Sequence, residues 1–592
     1  MFTLLSLLLA TSFSVSSLDS AFASRLFRRS PSKAQNTIVQ LFEWPWDSVA
    51  SECTNFLGPA GYGYVQVSPP TEHVTGTQWW TDYQPTSYIL VSKRGSRAQF
   101  ANMVSTCATA GVGVIADVVL NHMTSGYGTG FAGSTYTKYN YPAVPYTSSQ
   151  FHYCTGNTAA DISNYSDAYN VRFCELVGLA DLAQEQTSVR TIMATFLNDL
   201  LSLGVAGFRI DAAKHMSPTD IAAIRAMLKS PFYDTQEVIF GQGEAVQPSQ
   251  YTRTGDIIEF RAPSSALTYF TGSPGFSLSQ ILYSSAMGAA WGFTDSSIAN
   301  YIMSNQDTER GGTSLNSQAA NNAYLLSGIF MLGFNYGTPT VYSGYNYTTY
   351  DQGAPQSSSG YTNAVTCNAN GWRCEHRWFG IANMVAFHNA VGTAALTNVV
   401  KGTSQQVAFG RGAIGFLIIN NDATKWTSTW KTSLPAGTYC DIIHDTTVSP
   451  TTCNGPSYVV SSTGTLSASV AAYDALAIFT GCESALNTTT TSNPASTAAT
   501  VTFKESASTV SGEVIKLVGS ISQLGNWAPA SAIALTNANS VWSATLLLPP
   551  NTAIQYKFIR VKSGVVSWES DPNRAYTTLA QGSSVTLTSS FR

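Results

Sequence analysis

The stretch Gly207-Phe-Arg-Ile-Asp-Ala-Ala-Lys-His215 is typical of a short buried strand that ends in charged side chains. Similar strand-like runs recur between residues 37 and 395, with helix-like segments such as Ser188–Leu203 and Thr219–Leu228 between them. The candidate strands are Thr37–Phe42, Tyr64–Val67, Val112–Asp117, Gly207–Asp211, Val238–Gln242, Ile257–Phe260, Tyr301–Ser304 and Pro339–Tyr342. Eight such units predict an α/β fold, a (β/α)8 TIM barrel, although a doubly wound sheet has the same periodicity.

Further domains are indicated around this barrel. The gap between the third and fourth strands, about residues 123–181, is too long for a structureless loop and predicts a small inserted domain. Residues 396–482 are patterned as an all-β domain, residues 483–500 as a Thr- and Ser-rich linker, and residues 501–592 as a second β domain.

The two chain ends and the cysteines indicate secretion. Residues 1–23 have the apolar run and small-residue site of a signal peptide, and residues 24–36 are interpreted as a pro-segment or a disordered start. No later segment is typical of a membrane span. In a secreted chain, close cysteines suggest disulfides, here Cys53–Cys107, Cys154–Cys174, Cys367–Cys374 and Cys440–Cys453, with Cys482 left over. Asn164, Asn346 and Asn487 begin N-glycosylation motifs.

The composition favours a neutral ligand. Charged residues make up 11% of the chain and the net charge is −4, which provides no basic field for nucleic acid. Aromatic residues make up 12%, and they suit either a sugar ligand or large apolar cores.

Four candidate strands have an acidic residue at or just after their C-terminal end, namely Asp117, Asp211, Glu244 and Asp307. Each alone could cap the next helix. TIM-barrel enzymes, however, carry their chemistry at the C-terminal strand ends, and glycoside hydrolysis needs two carboxyl groups across the scissile bond. The set therefore predicts a glycosidase site.

These strand ends resemble the conserved regions of glycoside hydrolase family 13, the α-amylase family. The resemblance rests on Asp117-x₃-Asn121-His122, on Gly207-Phe-Arg-Ile-Asp211 and on the Lys214-His215 that follows. Four further stretches resemble the animal-type members of this family: Leu41-Phe-Glu-Trp44, Trp79-Trp80-x₂-Tyr83-Gln84-Pro85, Cys374-Glu-His-Arg-Trp378 and Gln406-Val-Ala-Phe-Gly-Arg411. The resemblance covers roughly residues 37–482 and implies a retaining, endo-acting hydrolase of starch, glycogen and maltooligosaccharides.

The resemblance also implies residue roles. Asp211 would be the nucleophile, Glu244 the acid and base, and Asp307 a ligand of sugar hydroxyls; the first two would lie about 5–5.5 Å apart. The substrate site would consist of Trp79, Trp80, Tyr83, Asp117, His122, Arg209, Lys214, His215 and Gln306. A structural Ca²⁺ would bind Asn121, Arg172, Asp181 and His215, the second and fourth through backbone carbonyls.

Two departures from the family pattern change these expectations. Gln306 stands where a histidine is usual, so we expect a weaker contact in the cleavage subsite, with a loss of roughly tenfold or more. The animal-type chloride site uses two arginines and an asparagine. Arg209 and Asn305 match it, but Thr340 replaces the second arginine, so we expect chloride binding to be weak or absent.

Residues 501–592 resemble a starch-binding domain of carbohydrate-binding module family 20. The matching stretches are Gly512-Glu-x-Ile-x-Leu-Val-Gly-Ser-Ile-x-Gln-Leu-Gly-x-Trp527, Tyr556-Lys557-Phe-Ile-Arg560 and Trp568-Glu-Ser-Asp-Pro-Asn-Arg574. The resemblance implies one site with Trp527 and Trp568 as stacking faces and Lys557 and Asn573 as hydrogen-bonding groups. A second site is expected to be degraded, because Ser511 and residues 537–540 supply no tyrosine.

Two alternatives remain open at this stage. A cyclodextrin-forming or other α-glucan transglycosylase shares the barrel and the starch-binding domain, but usually has an additional immunoglobulin-like domain for which residues 484–500 leave little room. A catalytically weak starch-binding protein is the other alternative, because of Gln306. In each case we expect a monomer without nucleic-acid or membrane partners.

Overall fold

The computed structural model describes residues 35–154, 160–282, 288, 291–446, 448, 452–483, 499–510, 512–529, 532–538, 540–562, 565–580 and 583–592. The predicted signal peptide, most of the predicted pro-segment and linker, Asn487 and Ser511 lie outside these residues. The chain forms two compact units: the first ends at Leu486 and the second begins at Asn487. No helix within the described ranges is long and apolar enough to cross a membrane.

Eight parallel strands close into a barrel, which confirms the predicted fold. In chain order they are β1 (Ile38–Leu41), β2 (Tyr64–Val67), β3 (Gly113–Val119), β4 (Gly207–Asp211), β5 (Tyr233–Gln236), β6 (Asp256–Ile258), β7 (Ala299–Ile302) and β8 (Thr338–Ser343). The barrel closes because Ile38 of β1 pairs with both Tyr64 of β2 and Thr340 of β8. The fifth strand was predicted at Val238–Gln242 and lies earlier in the chain.

Helices follow most of these strands and cover the outside of the barrel. They are Trp46–Glu52, Arg97–Thr109, Thr187–Ser202, Pro218–Arg225, Arg261–Phe270, Ala323–Gly333 and Phe379–Val391. Their inward faces supply the main core with side chains such as Phe100, Leu197 and Phe330. Between β5 and β6 the helix is replaced by the short turn Pro248–Gln250.

The segment between β3 and β4 folds onto the barrel, as expected of an insertion. Its elements are the paired strands His122–Met123 and Ala180–Asp181, the hairpin Tyr127–Thr129 and Thr135–Thr137, and the helix Ala168–Phe173.

All four predicted disulfides form in the chain, and Cys482 is buried.

An all-β domain follows the barrel within the same unit. Its sheets have the strand orders Leu396–Lys401, Gln406–Arg411, Gly415–Asn420, Asp474–Phe479 and Trp426–Lys431, Thr465–Val470, Ser457–Val460, Gly437–Cys440. Alternate residues of Gly415–Asn420 point to different cores: Phe416 and Ile418 pack between the sheets, whereas Leu417 and Ile419 join the barrel core.

The second unit is a two-sheet β domain with its own core around Phe503, Leu517 and Phe558. One sheet contains Thr536–Ala538, Val541–Leu548, Ala499–Ser506 and Ser584–Ser590 in spatial order. The other contains Ile533–Ala534, Glu513–Gly519, Ala553–Lys562 and Val565–Trp568, with Arg574–Thr577 also paired to Ala553–Lys562.

Candidate active site

Four acidic side chains meet at the C-terminal end of the barrel. Asp117 lies in β3, Asp211 is the last residue of β4, and Glu237 directly follows β5. Asp307 lies in the short helix Gln306–Arg310 that follows β7. Because β3, β4 and β5 are neighbours in the barrel, their carboxyl ends bring the first three groups together.

Arg209 is the cation that these carboxyl groups share. Its Nη1 donates to Asp211 Oδ1 over 2.6 Å and to both oxygens of Asp117 over 3.0 and 3.1 Å. Its Nη2 forms a 2.6 Å ion pair with Glu237 Oε1. The guanidinium also lies 5.8 Å from the centre of the Tyr83 ring. The rigid, planar fork of an arginine presents its donors in fixed directions from separate nitrogens, whereas a lysine donates from a single nitrogen.

The backbone that follows Asp211 also contributes to the site. Ala212, the residue after Asp211, has a left-handed conformation with φ of 49°. An alanine rarely adopts this conformation, and such strain is found where function requires it. It directs the Ala212 N–H to Glu237 Oε2 over 2.8 Å, so the turn helps to fix Glu237 beside Asp211.

Burial raises the pKa of each of these carboxyl groups. It raises that of Asp117 to about 7 against the opposing effect of Arg209, and that of Asp307 to about 7 with a further contribution from Glu237. It also raises the pKa values of Asp211 and Glu237, again against Arg209. The negative charge of Asp211 further raises the pKa of Glu237. A raised pKa allows a buried carboxyl group to keep its proton and act as an acid.

Asp211, Glu237 and Asp307 line a cleft of about 480 Å³. Of the residues predicted for the site, the cleft is lined by Trp79, Trp80, Tyr83, His122, Asp211, Lys214, His215, Gln306 and Asp307. Asp117 and Arg209 are buried beneath it. Lining residues that the sequence analysis missed include Tyr165, Leu176, Val177, Glu237, Ile239 and Tyr350.

The prediction of Glu244 as the acid is wrong in its structural premise. Glu244 lies seven residues beyond Glu237, past the end of β5, and its carboxylate forms a salt bridge with Lys214. It was selected because the apolar run Val238–Phe240 was taken for the strand. The true strand, Tyr233–Gln236, is polar, since its residues are buried inside a barrel that holds many hydrogen-bonding groups. The rule that strand ends carry the chemistry selects Glu237 once the strand is placed correctly.

The aromatic side of the cleft is held by hydrogen bonds. Trp79 Nε1 donates to the Tyr350 carbonyl over 2.9 Å, and Trp80 Nε1 donates to Asp351 Oδ1 over 3.0 Å. Tyr83 Oη donates to Asp117 Oδ2 over 3.0 Å. His122 Nε2 contacts the Tyr83 carbonyl at 3.0 Å. These contacts fix flat apolar faces beside the carboxyl groups, an arrangement that suits a sugar ring.

A group of oxygen atoms lies where the insertion meets the barrel. Asn121 Oδ1 and Asp181 Oδ1 are buried without a hydrogen-bond partner. They are brought together because His122 pairs with Asp181 across the two short strands. His215 Nδ1 contacts the Val171 carbonyl at 3.1 Å, which places the backbones of Arg172 and His215 near each other. Unpaired buried oxygens of this kind fit a hard cation such as Ca²⁺.

The position expected to lack a chloride ligand is occupied by neutral groups. Thr340 is buried, and its Oγ1 accepts a hydrogen bond from Asn300 Nδ2 over 2.8 Å. Asn305 is the N-cap of Gln306–Arg310, and its Oδ1 accepts from the backbone nitrogens of Asp307 and Thr308.

In the second unit, the two predicted tryptophans lie side by side. The Trp527 and Trp568 ring centres are 6.4 Å apart, and Trp568 is 43% exposed. Asn573 is exposed and donates to Gln555 Oε1 over 2.9 Å. Lys557, in contrast, is buried, and its Nζ contacts the Glu569 carbonyl and Asp571 Oδ1. Trp542 is buried in the core, as expected.

Comparisons with known proteins agree with this arrangement. Three family models match, described as alpha amylase catalytic domain (residues 67–253), alpha amylase C-terminal all-beta domain (397–480) and starch binding domain (498–588). An alpha-amylase of Streptomyces violaceus is 44% identical over 95% of each chain. An alpha-amylase of Tenebrio molitor is 40% identical over 73% of this chain and 93% of its own.

A solved structure is also similar. The Glu-to-Gln mutant of alpha-amylase I from Eisenia fetida, in complex with maltohexaose, has a TM-score of 0.73 and 35% identity, covering 76% of this chain and 98% of its own. The barrel, the all-β domain and the starch-binding domain are thus each matched by a family model, and the Streptomyces relative covers nearly the whole chain. This chain belongs to the α-amylase family and is a glycoside hydrolase.

Proposed function

We propose that this chain is a secreted α-amylase that cleaves internal α-1,4 bonds of starch and related glucans with retention of configuration. The observation that carries the proposal is the pair Asp211 and Glu237, which lie at the ends of neighbouring strands and are both held by Arg209. Binding of both carboxyl groups by one guanidinium keeps them close together, which favours the short separation of retaining enzymes over the roughly 6.5–9.5 Å of inverting ones.

The pair divides the chemistry between its members. Glu237, which holds the proton, donates it to the glycosidic oxygen as the C1–O bond breaks, and the Asp211 carboxylate forms a bond to C1. The released chain departs as an alcohol. Glu237, now a carboxylate, then takes a proton from water as that water attacks C1 and displaces Asp211. Two inversions at C1 return the α configuration.

The surrounding residues orient the sugar in this scheme. Asp307 accepts hydrogen bonds from sugar hydroxyls, and Gln306, His122 and His215 provide further polar contacts. Trp79, Trp80 and Tyr83 provide stacking faces, while Lys214 lines the cleft beside Tyr165. Asp117 acts from beneath the site, where it orients Arg209 and Tyr83.

A structural Ca²⁺ is proposed at the junction of insertion and barrel. Asn121 and Asp181 would bind it through the side-chain oxygens that have no other partner, and Arg172 and His215 through backbone carbonyls. The ion would supply a charge that pins the inserted segment to the barrel. Chloride is proposed to bind weakly or not at all, because Thr340 adds no positive charge.

The second unit is proposed to hold granular starch through Trp527 and Trp568, with Asn573 and Lys557 as polar contacts. The four disulfides support secretion. A monomer is proposed, with starch, glycogen and maltooligosaccharides as partners.

Product analysis on soluble starch tests the proposed function. Linear oligosaccharides of mixed length at early times, released as α-anomers by ¹H NMR, are the expected result. Cyclic products would instead identify a transglycosylase, and no products from a folded protein would identify a starch-binding protein. First-formed β-anomers would contradict the retaining mechanism.

A further inference from the structure

The side chain of Gln306 is held at both ends. Its Oε1 accepts a hydrogen bond from Gln40 Nε2 over 2.9 Å, and its Nε2 donates to Tyr83 Oη over 3.3 Å. Gln40 lies on β1 and Gln306 follows β7, so the two residues are 266 positions apart in the chain, and both side chains are buried. A buried amide with both ends engaged has one preferred orientation.

The orientation of this amide follows from the polar groups beyond it. Arg209 Nη1 donates to both oxygens of Asp117, and the ionised Asp117 carboxylate can only accept the Tyr83 hydroxyl hydrogen. Tyr83 Oη can then only accept from Gln306, so Gln306 must present Nε2 to it and Oε1 to Gln40. Gln40 in turn must present its own Nε2. Gln40 therefore donates to Gln306, Gln306 to Tyr83 and Tyr83 to Asp117, so the three hydrogen bonds run in the same direction.

The orientation matters because Gln306 lines the cleft next to Asp307. Its Nε2 carries two hydrogens, and Tyr83 takes one of them. The other remains for a ligand in the cleft. If the amide turned over, its oxygen would lie at this place and would repel the oxygen of a sugar hydroxyl that accepts there.

We propose that Gln40 is a positioning residue, which acts through Gln306 by fixing the amide nitrogen toward the cleft. Gln40 does not line the cleft and has no part in the bond-breaking step. This inference rests on the proposed function, since it assigns the donor a sugar substrate.

A double-mutant cycle tests the inference. Q40M removes the donor to Gln306 and Q306M removes the amide itself; kcat and KM are measured on maltoheptaose. We expect Q40M to lower kcat/KM about three- to tenfold, the effect of one hydrogen bond, and to have no further effect in the Q306M background. Effects that multiply in the double variant, or a Q40M enzyme with wild-type kcat/KM, would overturn the proposal. If Q40M does not fold by near-ultraviolet circular dichroism, Q40L is used in the same cycle.

Gln66 provides the matched control. It is a buried glutamine on β2, in direct register with Gln40. The effects of Q66M and Q306M should multiply, because Gln66 is not expected to act through Gln306.

The coupling between Gln40 and Gln306 can also be measured from binding alone, without turnover. Maltoheptaose affinity is measured by calorimetry with all variants in a D211N background, where Q40M should weaken binding only while Gln306 is present. Wild-type turnover of starch reports on the proposed function separately. A protein without turnover that still shows this coupling would retain the positioning role and lose the amylase proposal.

Discussion

Arg209 Nη2 lies 2.6 Å from Glu237 Oε1. The Nη1 atom of the same guanidinium contacts Asp211, so one buried cation stabilises both carboxylates of the proposed reaction. Asp117 and Asp307 add two further acidic groups nearby. Four carboxyl groups around one arginine cannot all be ionised at little cost, and this excess of acid is the basis of the first prediction.

Replacing Asp307 with asparagine should reduce the loss of folding stability that occurs as the pH rises. The Asp307 pKa is raised to about 7, so the folded protein holds this proton where the unfolded chain, with a pKa near 4, has lost it. Folding therefore becomes less favourable as the pH rises from about 4 to 7, by on the order of a few kcal/mol. Melting temperatures of wild type and D307N across this range should diverge in favour of D307N. Parallel curves would contradict the assignment.

Removal of Ca²⁺ should destabilise the barrel. Asn121 Oδ1 and Asp181 Oδ1 would be left as buried acceptors without a partner. Free Ca²⁺ at 1,000 times its Kd should add about 4 kcal/mol of stability. We expect one Ca²⁺ per chain by metal analysis and a fall in melting temperature with EDTA. In D181N this fall should be much smaller, while D199N, a change at a partly exposed side chain of the helix Thr187–Ser202, should keep it. Equal EDTA responses in D181N and wild type would place the ion elsewhere.

Chloride should leave the activity unchanged. Thr340 contributes a hydroxyl that is already bonded to Asn300, and no second arginine stands at this position. The rate on soluble starch should vary less than about twofold between chloride-free acetate and matched sodium chloride, because screening of buried charges is weak. Activation of tenfold or more by chloride would sink this prediction.

Granular-starch binding should depend on the two neighbouring tryptophans. W527A and W568A each remove a stacking face, and the double variant should lower pelleting with granules by at least tenfold. V565A, an exposed change on the strand that carries Trp568, serves as the control and should pellet like wild type. Wild-type pelleting by the double variant would exclude this site.

Much of the fold could be predicted from sequence, because apolar strands such as Gly207–Asp211 are bounded by helices of clear pattern. The prediction failed at β5, whose residues Tyr233–Gln236 are polar although buried. Hydrophobicity instead favours the neighbouring Val238–Gln242, which begins with the apolar run Val238–Phe240, and this error led to Glu244 in place of Glu237 as the proposed acid. The Gln40–Gln306 contact joins residues 266 positions apart and has no local signal.

Parallel kinetics of E237Q and E244Q test the central claim most directly. The E237Q change keeps the shape of the side chain and removes the proton donor, so kcat on starch should fall about 10²–10⁴-fold. Glu244 does not line the cleft, so E244Q should remain within roughly fivefold of wild type. The account predicts that E237Q is nearly inactive and E244Q active; the reverse order, with E237Q active and E244Q inactive, would contradict it.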